Sequence, residues 1–213
     1  MYEKTHRKRR LILFGIFLVI LLMFPPIYNS LQGKQRSVAG IRNPIQTAAR
    51  GEKQITRNDY ELTLDYIYAY DIEGLVVSTR DYNGSTLEDK LSPKDVGLAW
   101  GSVAEYNTQV GFKWTTGDRR LGPKVDSWEK IAPLVGSMED LYKQFSNNHL
   151  VVLDLLVQES VEKIKVGDHV RIKGYLVNID GDSGKKHYSW HSSTKRDDLG
   201  CEVILVESVE WLE

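Results

Sequence analysis

The chain has 213 residues, long enough for one globular domain with an appendage and short for two full domains. Its 41% hydrophobic and 27% charged content is that of a folding chain and excludes intrinsic disorder. Net charge is −1, but residues 1–53 hold ten Lys or Arg against Glu3 and Glu52, leaving 18 basic and 27 acidic residues from Gln54 onward. A globular part at −9 repels polyphosphate, so nucleic acid is not an expected partner.

At the amino end, MYEKTHRKRR precedes LILFGIFLVILLMF and PPIY. The uncharged run Leu11–Tyr28 is 18 residues, the lower bound for a membrane span. Its proline-free part, Leu11–Phe24, is 14 residues, about 21 Å of helix against a hydrocarbon core of about 30 Å. Pro25 can occupy the last turn and the arginines before Leu11 can snorkel, so a span is feasible. A secretory signal peptide is the alternative, since the apolar run has the right length. Its best small-residue cleavage site, Ser37-Val38-Ala39, lies far beyond that run, with Lys34 and Arg36 between, which favours a retained anchor. Five Lys or Arg within residues 1–10 place the amino end in the cytoplasm and export the acidic part. The expected location is therefore the bacterial inner membrane, single-pass, with a periplasmic or extracellular domain.

The expected division is a basic cytoplasmic segment over 1–10, a transmembrane helix or signal anchor over 11–28, a flexible basic linker over 29–56, and an extracytoplasmic, mainly-β domain over 57–213. In the linker, apolar residues are sparse and Gly, Pro, Gln and Arg dominate. YELTLDYIYAY and GLVVSTRDY then read as strands. SPKDVGLAWG reads as a short helix, with Ser92 as N-cap, Pro93 at the first position and Gly101 as terminator. TQVGFKWTTG suits a strand closed by a Gly turn, and Met138–Phe145 a helix. LVVLDLLVQES, an almost continuous apolar run, suits a buried strand. Val170, Ile172, Gly174 and Leu176 alternate with His169, Arg171, Lys173 and Tyr175, the period of a strand. Asp180-Gly181-Asp182-Ser183-Gly184 supplies a turn, HYSWHSS returns, and CEVILVESVEW is a last strand. The fold class is α+β, mainly β: a small barrel or sandwich with one or two short helices.

VGDHVRIKGYLV resembles the turn and strand of an OB-like or SH3-like barrel. Together with GLAWG, SNNHL and the run Trp190-His191-Ser192-Ser193…Arg196…Asp198…Gly200-Cys201-Glu202, it is similar to a group of uncharacterised membrane-anchored bacterial envelope proteins with a carboxy-terminal OB-like domain. The chain is shorter than that pattern between Gly200 and Cys201. The resemblance covers about residues 60–213 and implies placement and fold; no reaction comes with it.

The single cysteine, Cys201, excludes an intramolecular disulfide. As a nucleophile it needs a base and an oxyanion donor. His191 lies upstream, in an order faintly similar to that of L,D-transpeptidases, but the residues before Gly200-Cys201 do not fit that motif. Cys201 also opens a strand in step with Val203 and Leu205, where a thiol behaves as a small apolar group. His187 and His191 on a strand are about 13 Å apart, too far for one metal ion. NIDGDSG resembles a calcium loop but has Ser183 where that loop needs Gly. No metal or cofactor is expected. A ligand site, if present, is expected from Ser192, Ser193, Arg196 and Asp198 beside Trp190, with Trp100 and His149, since these combine aromatic walls with polar groups. The alternative for the loop is a capped turn with surface ion pairs.

The reading that follows is a membrane-anchored, extracytoplasmic β-barrel binding module for an envelope protein, peptide or glycan. The alternative is a Cys-dependent envelope hydrolase or transferase using Cys201 and a histidine.

Overall fold

The structure, a computed structural model, describes residues 33–194 and 201–213. The chain divides into a unit of residues 1–34, nearly all outside the described residues, and a unit Gln35–Glu213. The predicted span over 11–28 lies outside the described residues. Among those described, no helix is long and apolar enough to cross a membrane.

The predicted linker is corrected from Gln35 onward. Gln35 Nε2 donates to the Val77 carbonyl at 2.7 Å, the Val38 amide to the Ala104 carbonyl at 3.0 Å, and Ile41 is buried. Two strands follow, β1 (Ile45–Ala48) and β2 (Glu52–Arg57), both antiparallel to β3 (Tyr60–Asp81). Asn58 and Asp59, at φ 50° and 65°, make the two-residue turn between β2 and β3. The strands escape the sequence pattern because β2 is mostly polar, Ile45 of β1 is exposed, and only Ile55 packs against a core.

The two predicted strands over Tyr60–Asp81 are one 22-residue element, β3. The predicted helix over SPKDVGLAWG is instead a strand, β4 (Lys94–Ala99), all six residues of which are buried. Ser-Pro reads locally as a helix start, but pairing on both sides decides the outcome. Helices α1 (Leu87–Leu91), α2 (Gly101–Glu105) and α3 (Asn107–Val110) flank it. A separate hairpin follows, β5 (Lys113–Gly117) with β6 (Arg120–Lys124), then α4 (Trp128–Val135) and α5 (Met138–Tyr142).

The next strand, β7 (Phe145–Val151), carries the polar SNNH rather than the apolar LLV. Most of its buried polar groups find partners: Asn148 Nδ2 donates to the Val96 carbonyl at 3.0 Å and Ser146 Oγ to Asn148 Oδ1 at 3.2 Å. The apolar run predicted as a strand turns helical, α6 (Leu155–Lys163), because Asp154 Oδ1 accepts from the amides of Leu156 and Val157 at 2.8 and 3.1 Å. Strands β8 (His169–Asp182), β9 (His187–His191) and β10 (Glu202–Trp211) complete the chain.

Hydrogen bonding closes a ring. β3 pairs with β4, β4 with β7, β7 with β10, β10 with β8, and β8 returns to β3; only β7–β10 is parallel. All five ring strands feed the larger core, through Ile72, Leu98, Leu150, Ile172 and Ile204 among others, all fully buried. Burying a side chain of that size contributes about 1.5–3 kcal/mol. On the opposite face a second cluster gathers Leu62, Leu64, Leu91, Val151, Ile179 and Val203, with Tyr188 and Trp190 of β9 against it. The fold is mainly β with a few short helices, in line with the predicted class.

Candidate binding face

Alternation along β4 and β7 sends Val96 and Leu150 into the larger core and Asp95, Asn147 and His149 to the opposite face. Asp95 and His149 are register partners, and His149 Nδ1 lies 2.7 Å from Asp95 Oδ1. Both are almost fully buried. The same oxygen accepts from Arg119 Nη1 at 3.0 Å. Asp95 Oδ2 accepts from the Tyr82 hydroxyl at 3.0 Å and from Asn147 Nδ2 at 3.3 Å. A carboxylate in this position is acceptable only because both oxygens are engaged.

Arg119 comes from the β5–β6 tip, where Asp118 and Arg119 both have positive φ, 47° and 57°. That conformation suits a two-residue hairpin turn but is uncommon for a long side chain. Contacts hold it there. Arg119 Nη2 donates to Asp89 Oδ1 at 2.8 Å and to the Ser92 carbonyl at 3.2 Å. The guanidinium carbon lies 3.9 Å from the centre of the Tyr82 ring and 5.4 Å from that of Trp190. Trp190 in turn meets the His149 ring at 5.0 Å. Arg80 lies 5.5 Å from the other aromatic of the series, Tyr82, so cations and rings alternate from Arg80 to His149. Burial and the adjacent Asp95 push the Tyr82 phenol up to about 12, against the pull of Arg119 and Arg80.

Cys201 borders this network. Its Sγ donates to the Arg119 carbonyl at 3.3 Å and lies 3.9 Å from Asn147 Nδ2. Burial pushes the thiol up to about 11, with Glu202 and Asp95 adding to the rise and Asn147 and Arg120 opposing it. Such a thiol is protonated at neutral pH and poor as a nucleophile. Asn147 Oδ1 is buried with no hydrogen-bond partner among the described residues.

Of the residues singled out in the sequence, His149, Trp190 and Cys201 therefore come together. Ser192 and Ser193 lie next to them in the chain, with Ser192 Oγ accepting from the Val203 amide at 3.0 Å and donating to the Ser193 carbonyl at 2.8 Å. Trp100 is fully buried in the larger core, on the other side of the strands. His191 faces outward from β9 and meets Asp180 Oδ2 at 2.8 Å. Arg196 and Asp198 lie outside the described residues. Asp95, Arg119, Tyr82 and Asp89 escaped sequence reading. The usable signal was Asp118-Arg119 directly after Thr-Thr-Gly, a hairpin tip that aims one side chain. A groove of about 630 Å³, lined by Gln54, Thr56, Glu61, Thr63 and Asp182 among others, shares no residue with this cluster.

The chain matches no family model, no curated protein and no solved structure.

Proposed function

We propose that the chain is a membrane-anchored, extracytoplasmic binding module whose ligand face is the outer side of β4 and β7. The supporting observation is where the Asp95–Arg119 network sits. In ring order the strands run first, second, third, fifth, fourth, with the third and fifth parallel and α6 between the third and fourth. That is the path of an OB-like barrel, which binds ligands on its second and third strands between the loops joining strands one to two and four to five. Here those strands are β4 and β7. Tyr82 and Asp89 come from the first of those loops, and Trp190 and Cys201 flank the second. A partly exposed rim of Tyr82, Asp89, Arg119 and Trp190 over a buried polar floor offers an aromatic surface with fixed charges.

Membrane attachment through residues 11–28 rests on the apolar run and the charge of the first ten residues. It agrees with the resemblance to membrane-anchored envelope proteins of bacteria. The acidic domain favours a peptide, glycan or envelope protein over nucleic acid.

The second reading is a Cys201-dependent hydrolase or transferase. Cys201 and His149 do border one network, which favours it. The raised thiol and its bond to the Arg119 carbonyl weigh against it.

Two measurements test the proposal. In a Cys201→Ser background, Lys185→Cys in an exposed turn should react with a membrane-impermeant maleimide in intact cells; protection until lysis contradicts export. Tryptophan fluorescence of the full-length protein in detergent, titrated with solubilised peptidoglycan fragments and with oligopeptides, should change in a Trp190-dependent way. Titrations identical in wild type and Trp190→Phe would remove the ligand face.

A further inference from the structure

Each of the four described histidines sits against a carboxylate: His149 on Asp95 at 2.7 Å, His169 on Glu73 at 2.9 Å, His187 on Asp182 at 3.3 Å and His191 on Asp180 at 2.8 Å. Three of these pairs bracket β9. His187 and His191 are on its outward side, bonded to β8, while Trp190 alternates inward onto His149 and Arg119. β9 is an edge strand, paired with β8 alone, and the chain after it leads towards residues outside the described set.

We propose that the β8–β9 hairpin is a proton-strengthened clasp that sets how firmly Trp190 closes over the Arg119 network. The functional meaning of the clasp rests on reading that network as the ligand face. Imidazole changes charge between pH 5 and 8, and a protonated imidazole adds to its hydrogen bond an ion-pair attraction for the carboxylate that a neutral one lacks. Asp180 stays charged through that range. Burial pushes Asp180 up, but the hydrogen bonds from Ser189 and His191 and the nearby His191 and His187 outweigh it, holding Asp180 below the usual carboxylate range. The clasp is therefore tighter with the imidazoles protonated and loosens as pH rises through the imidazole range.

The surroundings favour this sign. Across the sheet, His187, Asp182 and Glu61 share one row, Ser189, Asp180 and Thr63 the next, and His191, Asn178 and Asp65 the third. Glu52 of β2 extends the third row. These outward rows contain no Lys or Arg, so each imidazole gains its proton in an acidic setting. Lys185 and Lys186 in the turn oppose protonation at one end. On the inner side Trp190 and Tyr188 separate the histidines of β9 from Arg119, His149, Asp95 and Glu88. Both outward pairs are solvent-exposed, so each shifts the opening equilibrium only a few-fold.

Hydrogen exchange of the full-length protein in detergent tests the clasp directly, read as protection factors for the β9 amides so that intrinsic pH effects cancel. Protection should be about three- to ten-fold higher at pH 5.5 than at pH 7.5. The double variant His187→Gln/His191→Gln should lose that dependence, and His169→Gln, whose partner is Glu73, should keep it. Flat protection in the wild type, or an unchanged pH response in the double variant, overturns the proposal. The readout belongs to β9 itself. A pH-dependent clasp with no ligand response at Trp190 would leave this inference standing and remove only the binding reading.

Discussion

Arg119 Nη1 and Asp95 Oδ1 lie 3.0 Å apart, tying the tip of the β5–β6 hairpin to the outer face of β4. The pair is mostly shielded from water, with Asp95 2% and Arg119 17% exposed at the side chain. Truncating Arg119 leaves the Asp95 charge buried with only Tyr82, Asn147 and His149 around it. Arg119→Ala should therefore cost about 3–5 kcal/mol in urea unfolding. The double variant Arg119→Met/Asp95→Leu should recover part of that loss, since it removes both charges.

The Tyr82 phenol should resist ionisation. In the folded chain it titrates near 12 rather than 10, so its contribution to stability is complete below pH 10 and is lost as pH rises from 10 through 12. Absorbance titration near 295 nm in the native protein should show one late-ionising tyrosine fewer in Tyr82→Phe. An unchanged titration would mean the hydroxyl is not held by Asp95.

Cys201 should label slowly with a thiol reagent in the folded protein and rapidly after denaturation. Its reactivity should rise only as pH approaches about 11, the value to which burial pushes it. Cys201→Ala should fold with a loss of about 1–2 kcal/mol, the size expected for a small buried group. Rapid labelling of the native protein at pH 7 would restore the hydrolase reading.

Gly174 lies where β8 meets the bulge in β10 between Val206 and Ser208. A Cβ there would stand 2.0 Å from the Leu205 carbonyl oxygen. Gly174→Ala must open the β8–β10 ladder, and we expect a fall in melting temperature well beyond that of Gly117→Ala, whose Cβ meets nothing within 4 Å.

The carboxy-terminal half of the ring was legible from alternation alone. Val170, Ile172 and Leu176 fall into the larger core as their period-two spacing predicts. Besides β1 and β2, three elements were not. Lys94–Ala99 begins with a helix-start signature, yet both its edges are paired, and tertiary pairing outweighs local propensity. Phe145–Val151 hides because its buried residues include Asn147, Asn148 and His149, polar groups that are tolerated only with partners supplied by β4. The apolar Leu155 and Leu156, read as core, are 76% and 73% exposed in the first turn of α6. His149 and Trp190 were visible as candidates because their chemistry is unusual. Arg119 and Asp95 were not, since charged residues in an acidic domain read as surface until the fold brings them together.

The most direct test of the binding face is photo-crosslinking in intact cells with p-benzoylphenylalanine in place of Arg120, which is exposed beside Arg119. Thr47 on β1, also exposed, serves as the control position. The account predicts a discrete light-dependent adduct from position 120, weakened by Trp190→Ala, and none from position 47. No adduct at position 120, or equal adducts at both, would contradict it.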